Sequence, residues 1–427
     1  MTSATDLPLH EQAHSLEHDR LIELLSETEN LLIIQDLDGV CMGLVKDPLD
    51  RQISTEYVTA TQAFDGHFFV LTNGEHIGER GVNGIIERAF GDATKVQKEG
   101  RYLPGLAAGG VQWQTRKGEL SHPGVSEAEL TFLQQVPDRI RLSLHEFAQI
   151  HTLPLDSDTI ERCIQSSALE NVASPTANLN TFHSALGNDH AAYLALQKAM
   201  QSLMDNLLAE AAAQSLEDSF FVHYAPNHGR DEYGQEVIWL SQGEESGTTD
   251  FQFMLRGAIK EAGVLALLNR YYARRTGQYP LGEDFSVRVA PHDHQALIQL
   301  VQDKFDPAIM PLIIGVGDTV TSKVMEESGE LVAKRGGSDR NFLHLVQDIG
   351  RSFGIGNIVT YVDSSGGELK NRRSLTVEQR DGQPVVTAGP GDPADQADPL
   401  MLNVVFPGGY REYCAAFQAA AARRHLT

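Results

Sequence analysis

Cysteine is scarce in this chain. Only Cys41, Cys163 and Cys414 occur in 427 residues, far apart and odd in number. No disulfide framework or Cys-x-x-Cys metal site can be assembled from them, which points to a reducing compartment. Basic residues are also few, 34 Lys and Arg against 58 Asp and Glu, for a formal net charge of −24. So acidic a chain is repelled by nucleic-acid backbones and anionic membrane surfaces, and neither is expected as a partner. Long apolar runs are missing: "LLII" and "VLALL" fall far short of a membrane span. The opening stretch, "MTSATDLPLHEQAHSLEHDR", has acids and histidines where a signal peptide needs basic residues and then an apolar core. A soluble cytoplasmic protein is expected. Its 41% hydrophobic and 22% charged residues suit a globular chain of one large domain or two ordinary ones.

What is present alternates. "HDRLIELLSETEN" reads as a helix, "LLIIQ" as a short apolar strand, "EYVTATQAF" as a helix and "HFFVLTNG" as a second strand. "PLIIGVGD" and "NIVTYVDSSGG" later repeat the pattern of an apolar strand running into a Gly/Asp/Ser turn. Such alternation predicts a parallel sheet covered by helices on both faces, with ligands at the carboxyl ends of its strands. From about Glu75 to Asp250 the pattern changes to longer helices and polar loops. The clearest helix is "HAAYLALQKAMQSLMDNLLAEAAAQ", whose stripe of Tyr193, Leu196, Met200, Leu203 and Leu207 is a packing surface. "GPGDPADQADP", from Gly389 to Pro399, is a low-complexity segment expected on the surface.

The stretch "LLIIQDLDGVCMG" ends an apolar strand in two carboxylates, Asp36 and Asp38, one residue apart. A calcium loop is excluded, because its fifth position holds Val40 and offers no oxygen ligand. A solvated strand-end turn is the plain alternative. A chemical reading makes Asp36 a nucleophile and Asp38 a general acid/base, with a divalent cation relieving their repulsion. It predicts a hydroxyl at the end of the next strand, a lysine to neutralise phosphate, and further carboxylate at the end of a later strand. Thr72 in "LTNG", followed by Asn73, Lys260 at the start of the helix "KEAGVLALL", and Asp318 in "IIGVGDT" fill these places.

Together these motifs resemble the haloacid dehalogenase-like phosphatases. The resemblance implies a doubly wound α/β core acting through an aspartyl-phosphate. It also implies phosphate contacts from Thr72, Asn73 and Lys260, and magnesium held by Asp36, Asp38, Asp318 and a further acid. Too few residues separate Asp38 from Thr72 to hold a lid. The large α+β cap is therefore expected after the second motif, dividing the chain into core 1–75, cap 76–250 and core 251–427. This is the arrangement of the sugar-phosphate phosphatases. The cap's polar loops "NVASPTANLN" and "HYAPNHGRDEYGQE" could meet sugar hydroxyls or be plain surface turns.

Phrases outside the general motifs, among them "YLPGLAAGGVQWQ", "SGTTDFQFMLRG" and "NVASPTANLN", resemble the glucosylglycerol 3-phosphatases, a cyanobacterial salt-tolerance family, over about Asn30 to Arg423. That resemblance implies hydrolysis of 2-O-(α-D-glucosyl)-glycerol 3-phosphate as a small-molecule substrate. Sucrose-phosphate phosphatase, a phosphomutase and a non-catalytic sugar-phosphate sensor are the rivals, and association with the pathway's synthase is left open. One departure stands out. The family's last motif usually has a second acid four or five residues after the first, where this chain has Ser322 and Lys323. "TVTSKVMEESGELVAKR" reads as an inserted hairpin, after which Asp339 in "GGSDRNFLHLV" is expected to complete the magnesium site beside Asp318. The plainer role for Asp339 is to cap its helix.

Overall fold

The computed structural model describes residues 7–45, 48–78, 80–225, 227–230, 236–243, 245–327, 330–368, 374–390 and 398–424. The first strands are β1 (Leu31–Gln35), β2 (Phe68–Leu71), β3 (Gly105–Ala107), β4 (Gln112–Gln114) and β5 (Leu120–Ser121). An inserted segment carries β6 (Ala168–Leu169), β7 (Thr176–Asn178), β8 (Phe220–Ala225), β9 (Asn227–Arg230), β10 (Glu236–Ile238) and β11 (Asp250–Leu255). The chain returns with β12 (Leu312–Gly317), the hairpin β13 (Thr321–Glu327) and β14 (Glu330–Gly336), β15 (Ile358–Val362), the hairpin β16 (Thr376–Arg380) and β17 (Gln383–Ala388), and β18 (Val404–Phe406).

The main sheet runs β18-β15-β12-β1-β2-β3-β4-β5. It is parallel from β18 to β3, and antiparallel pairing adds β4 and β5 at one edge. Side chains alternate across a strand, so Leu31 and Ile33 enter one apolar layer. That layer is shared with Leu21, Leu25, Tyr57, Phe64 and Phe417 from helices at both ends of the chain. The opposite face meets the helices Lys260–Thr276 and Arg340–Phe353. Burial on both faces explains why these strands read as unbroken apolar runs. The order reverses at β1, with β2 and β3 to one side and β12, β15 and β18 to the other. In open α/β sheets a ligand crevice lies at such a switch point, beyond the carboxyl ends of the strands.

The chain divides into two compact units. One comprises residues 1–76, 82–124 and 259–427; the other comprises 77–81 and 125–258. Residues 82–124, expected in the cap, therefore belong to the sheet unit. The cause is β3, β4 and β5, which extend the main sheet and are too short to stand out in sequence. The second unit has its own antiparallel sheet, ordered β6-β7-β11-β8, and a core in which Phe132, Phe220 and Phe253 pack ring on ring. Its longest helices are Glu127–His151, opened by a Ser126/Glu129 capping box, and His190–Ala213, whose expected stripe from Tyr193 to Leu207 is buried.

Both expected polar loops are partly strand. "NVASPTANLN" contains β7, and "HYAPNHGRDEYGQE" contains the end of β8 and all of β9, with 226 and 231–235 outside the described residues. Residues 391–397 of the low-complexity segment also lie outside them. Among the described residues, no helix is long and apolar enough to cross a membrane.

Candidate active site

Two adjacent parallel strands end in carboxylates. β1 ends at Gln35, and Asp36 follows with its N–H donating to Val316 O at 2.9 Å, so it leaves the sheet beside the end of β12. Asp318 follows β12 directly. Between β12 and Asp339 the chain makes the expected hairpin, with β13 and β14 pairing from Thr321↔Gly336 to Glu327↔Glu330. The excursion closes on itself and returns Asp339 to the site.

Asp339 occupies the N-cap position of the helix Arg340–Phe353 but makes no side-chain cap hydrogen bond. Its Oδ2 accepts from the backbone N–H of Asp318 (3.0 Å) and of Thr319 (2.9 Å), and its Oδ1 accepts from Lys260 Nζ at 2.7 Å. The carboxylate thus organises the other half of the broken motif, and the plain capping role fails on geometry. Gly317 must be glycine here, because a β-carbon would come within 2.8 Å of Asp339 Oδ2.

Lys260 is the first residue of its helix and is 3% exposed. Its ammonium bridges Asp339 and Asp36 Oδ2, the latter at 2.9 Å. Burial alone would lower its pKa, but the charges of Asp339 and Asp36 override that and hold it above the ordinary lysine range. Asp36 moves the other way. Burial first, then the charge of Asp339, raises it to about 7 against the pull of Lys260. The ammonium pairs with two of three clustered buried acids, since Asp36, Asp318 and Asp339 each offer an oxygen within 4.8 Å of the others.

Asp36 Oδ1 is buried and has no hydrogen-bond partner among the described residues. An all-carboxylate donor set with such an orphaned oxygen fits a hard divalent cation, which needs oxygen ligands and offsets the excess negative charge. Gly39 keeps the approach narrow. It has φ +78°, and a β-carbon there would collide with the Asp318 carboxylate.

Asp38 lies apart from this triad. Its Oδ2 faces Arg51 Nη1 at 3.3 Å, so among the expected metal acids its side chain is the one outside the cluster. Thr72 follows β2 and is 3% exposed. A β-carbon on Gly74 would lie 3.7 Å from Thr72 Oγ1 and 4.0 Å from Asp38 Oδ2, which places both at the mouth of the same turn. Asn73 is exposed at that turn. Sequence reasoning missed Arg51, which sits in a loop without periodicity or motif. It also missed the support beneath Asp36, where the Gln35 amide is held by the buried hydroxyls of Tyr57 and Tyr413 at 2.6–2.9 Å.

A cavity of about 1000 Å³ opens beside the Asp36 turn at the same edge of the sheet. Gly39, Leu44, Ser364, Ser365, Gly408 and Arg411 are among its lining residues.

Fold and site together define the class: an α/β phosphatase, with its acids at the carboxyl edge of a parallel sheet. Comparison with known sequences narrows this. The family model for glucosylglycerol-phosphate phosphatase matches residues 30–421, and the chain belongs to that family. A curated glucosylglycerol-phosphate phosphatase of Synechocystis sp. is 59% identical over 418 residues, covering 98% of this chain and 99% of that protein. Among solved structures, the C-terminal domain of a C. albicans trehalose-6-phosphate phosphatase is 11% identical. It covers 96% of this chain and 98% of its own, with a TM-score of 0.43. A trehalose-6-phosphate phosphatase of Aspergillus fumigatus is also 11% identical, covering 97% and 100%, with a TM-score of 0.39.

Proposed function

We propose that this chain hydrolyses 2-O-(α-D-glucosyl)-glycerol 3-phosphate to glucosylglycerol and phosphate in the cytoplasm, with Mg²⁺ and through an aspartyl-phosphate on Asp36. The observation that carries the chemistry is the division of labour on Asp36: Lys260 holds Oδ2, and Oδ1 is buried without a partner among the described residues. The substrate name follows from the family and the Synechocystis relative.

In this reading Asp36 Oδ1 attacks phosphorus, and the bond from phosphorus to the glycerol oxygen breaks. Asp38, oriented by Arg51, gives its proton to the departing alkoxide. Asp38 then takes a proton from water, whose oxygen attacks phosphorus, freeing phosphate and restoring Asp36. Thr72, Asn73 and Lys260 hold the phosphoryl oxygens. Magnesium would be held by Asp36 and Asp318 with Asp339 beside them, and would supply charge neutralisation for the phosphoryl group. The cavity beside Gly39 has the volume of a small-molecule site and receives the polyol.

A phosphate-release assay over glucosylglycerol 3-phosphate, sucrose 6-phosphate and trehalose 6-phosphate, with and without chelator, tests the proposal. Preferential turnover of the first, abolished by chelator, is expected. Faster release from either of the others overturns the substrate, and full activity in excess chelator overturns the metal.

A further inference from the structure

A second group of metal-ligating side chains lies away from the acids. His344 and Asp348 are four residues apart on the helix Arg340–Phe353 and so share one face of it. His294 is the first residue of the neighbouring helix His294–Lys304, fixed there by Asp293, whose side chain accepts from Ala296 N–H at 2.9 Å. The two imidazoles stack, centroids 4.4 Å apart and planes 14° from parallel. Both present Nε2 to the same oxygen, Asp348 Oδ2, at 2.9 Å from His294 and 3.1 Å from His344. The other oxygen, Oδ1, is held by Arg351 at 3.1 Å.

We propose that His294, His344 and Asp348 form a transition-metal site, taking Zn²⁺ or Co²⁺, that clamps the two helices together. The donor set argues for this class. Two imidazole nitrogens and a carboxylate oxygen suit zinc and its neighbours, while magnesium prefers oxygen alone. Their three atoms lie within 4.8 Å of one another. A bound ion lies in the plane of each imidazole, so one ring turns out of the stack on binding; tetrahedral bonds of about 2.0–2.1 Å then put neighbouring ligand atoms roughly 3.3 Å apart, close to the two separations above. Arg351 supplies an outer contact that orients the carboxylate. Binding requires each Nε2 proton to move to Nδ1 of its own ring, so neutral imidazoles release no proton. The clamped helix begins next to Asp339, and the ion therefore steadies the element that carries that acid.

The test is a Co²⁺ titration of the full chain in saturating Mg²⁺, which fills the acidic cluster, followed by visible absorption of the cobalt. One equivalent with an intense tetrahedral band is expected, weakened at least about tenfold in affinity in His344→Gln and in His294→Gln. Zn²⁺ should displace the band and raise the melting temperature of the wild type, and should not raise it in either variant. A spectrum that remains that of hydrated Co²⁺ overturns the proposal. A band that survives both histidine variants also overturns it, because the cobalt then sits elsewhere.

Discussion

Replacing Asp339 by Asn removes its charge together with one of its two structural duties. The carboxylate accepts three hydrogen bonds, two from the backbone of residues 318 and 319 and one from Lys260. An amide has a single oxygen. If that oxygen serves the backbone pair, the NH₂ group faces the Lys260 ammonium, donor against donor; if it faces Lys260, the backbone pair is left unmet. Losing one charge-assisted bond while Lys260 keeps Asp36 should cost about 2–3 kcal/mol of stability, read as a lower urea midpoint. The metal effect is separate. One unit of charge about 5 Å from a dication is worth about 1.7 kcal/mol even with the full screening of water, and roughly four times that at an effective dielectric of 20. The magnesium concentration for half-maximal phosphate release should therefore rise at least about tenfold. The assay is a magnesium titration of phosphate release at a temperature where the variant remains folded. If the variant is destabilised yet its half-saturating magnesium is unchanged, Asp339 is purely a positioning residue and Asp318 works with another donor.

Two further perturbations bear on the same unit. Asp36→Asn should abolish turnover and phosphoenzyme formation, because an amide is a poor nucleophile. Asp38→Asn should slow both half-reactions by roughly a hundredfold or more. Acid-quench labelling reads the intermediate, and near wild-type turnover in Asp36→Asn would refute the assignment. His76 gives a pH dependence of stability. It is fully buried, its Nε2 is 3.2 Å from Gly105 O, and burial lowers its pKa to about 4. The unfolded chain binds this proton from about pH 6.5 downward and the folded chain only near 4, so stability is full above 6.5 and falls as pH drops toward 4. The loss attributable to His76 should approach about 3 kcal/mol, seen as a falling urea midpoint between pH 7 and 4.5, and His76→Gln should flatten that slope. An unchanged slope would show that another group dominates.

The sheet's centre was legible in sequence because burial on both faces demands continuous apolar runs. "LLIIQ", "FFVL" and "LIIGVG" each form the strand expected, and they are followed directly by Asp36, Thr72 and Asp318. The acids following β1 and β12 were legible for the same reason. The edge was not. "GLA", "QWQ" and "LS" are two or three residues long and owe their strand character to pairing with β2 and with one another. Asp339 could be placed at a helix start from local pattern. Which way its carboxylate turns depends on Lys260, 79 residues earlier in the chain, and no local signal carries that. Arg51 was invisible for a similar reason, since its ion pair with Asp38 is made by a loop without periodicity.

The hairpin β13–β14 is tied to the acid cluster at its two feet. At one foot the N–H groups of Asp318 and Thr319 are held by Asp339, and at the other Asp339 N–H donates back to Thr319 O at 3.2 Å. This stitched base sets the spacing of the two acids, whatever the length of chain projecting beyond it. Antiparallel strands lengthen or shorten by whole cross-strand pairs without moving their ends. The hairpin is therefore free to vary in length as an appendage, while the chemistry at its root stays fixed in register.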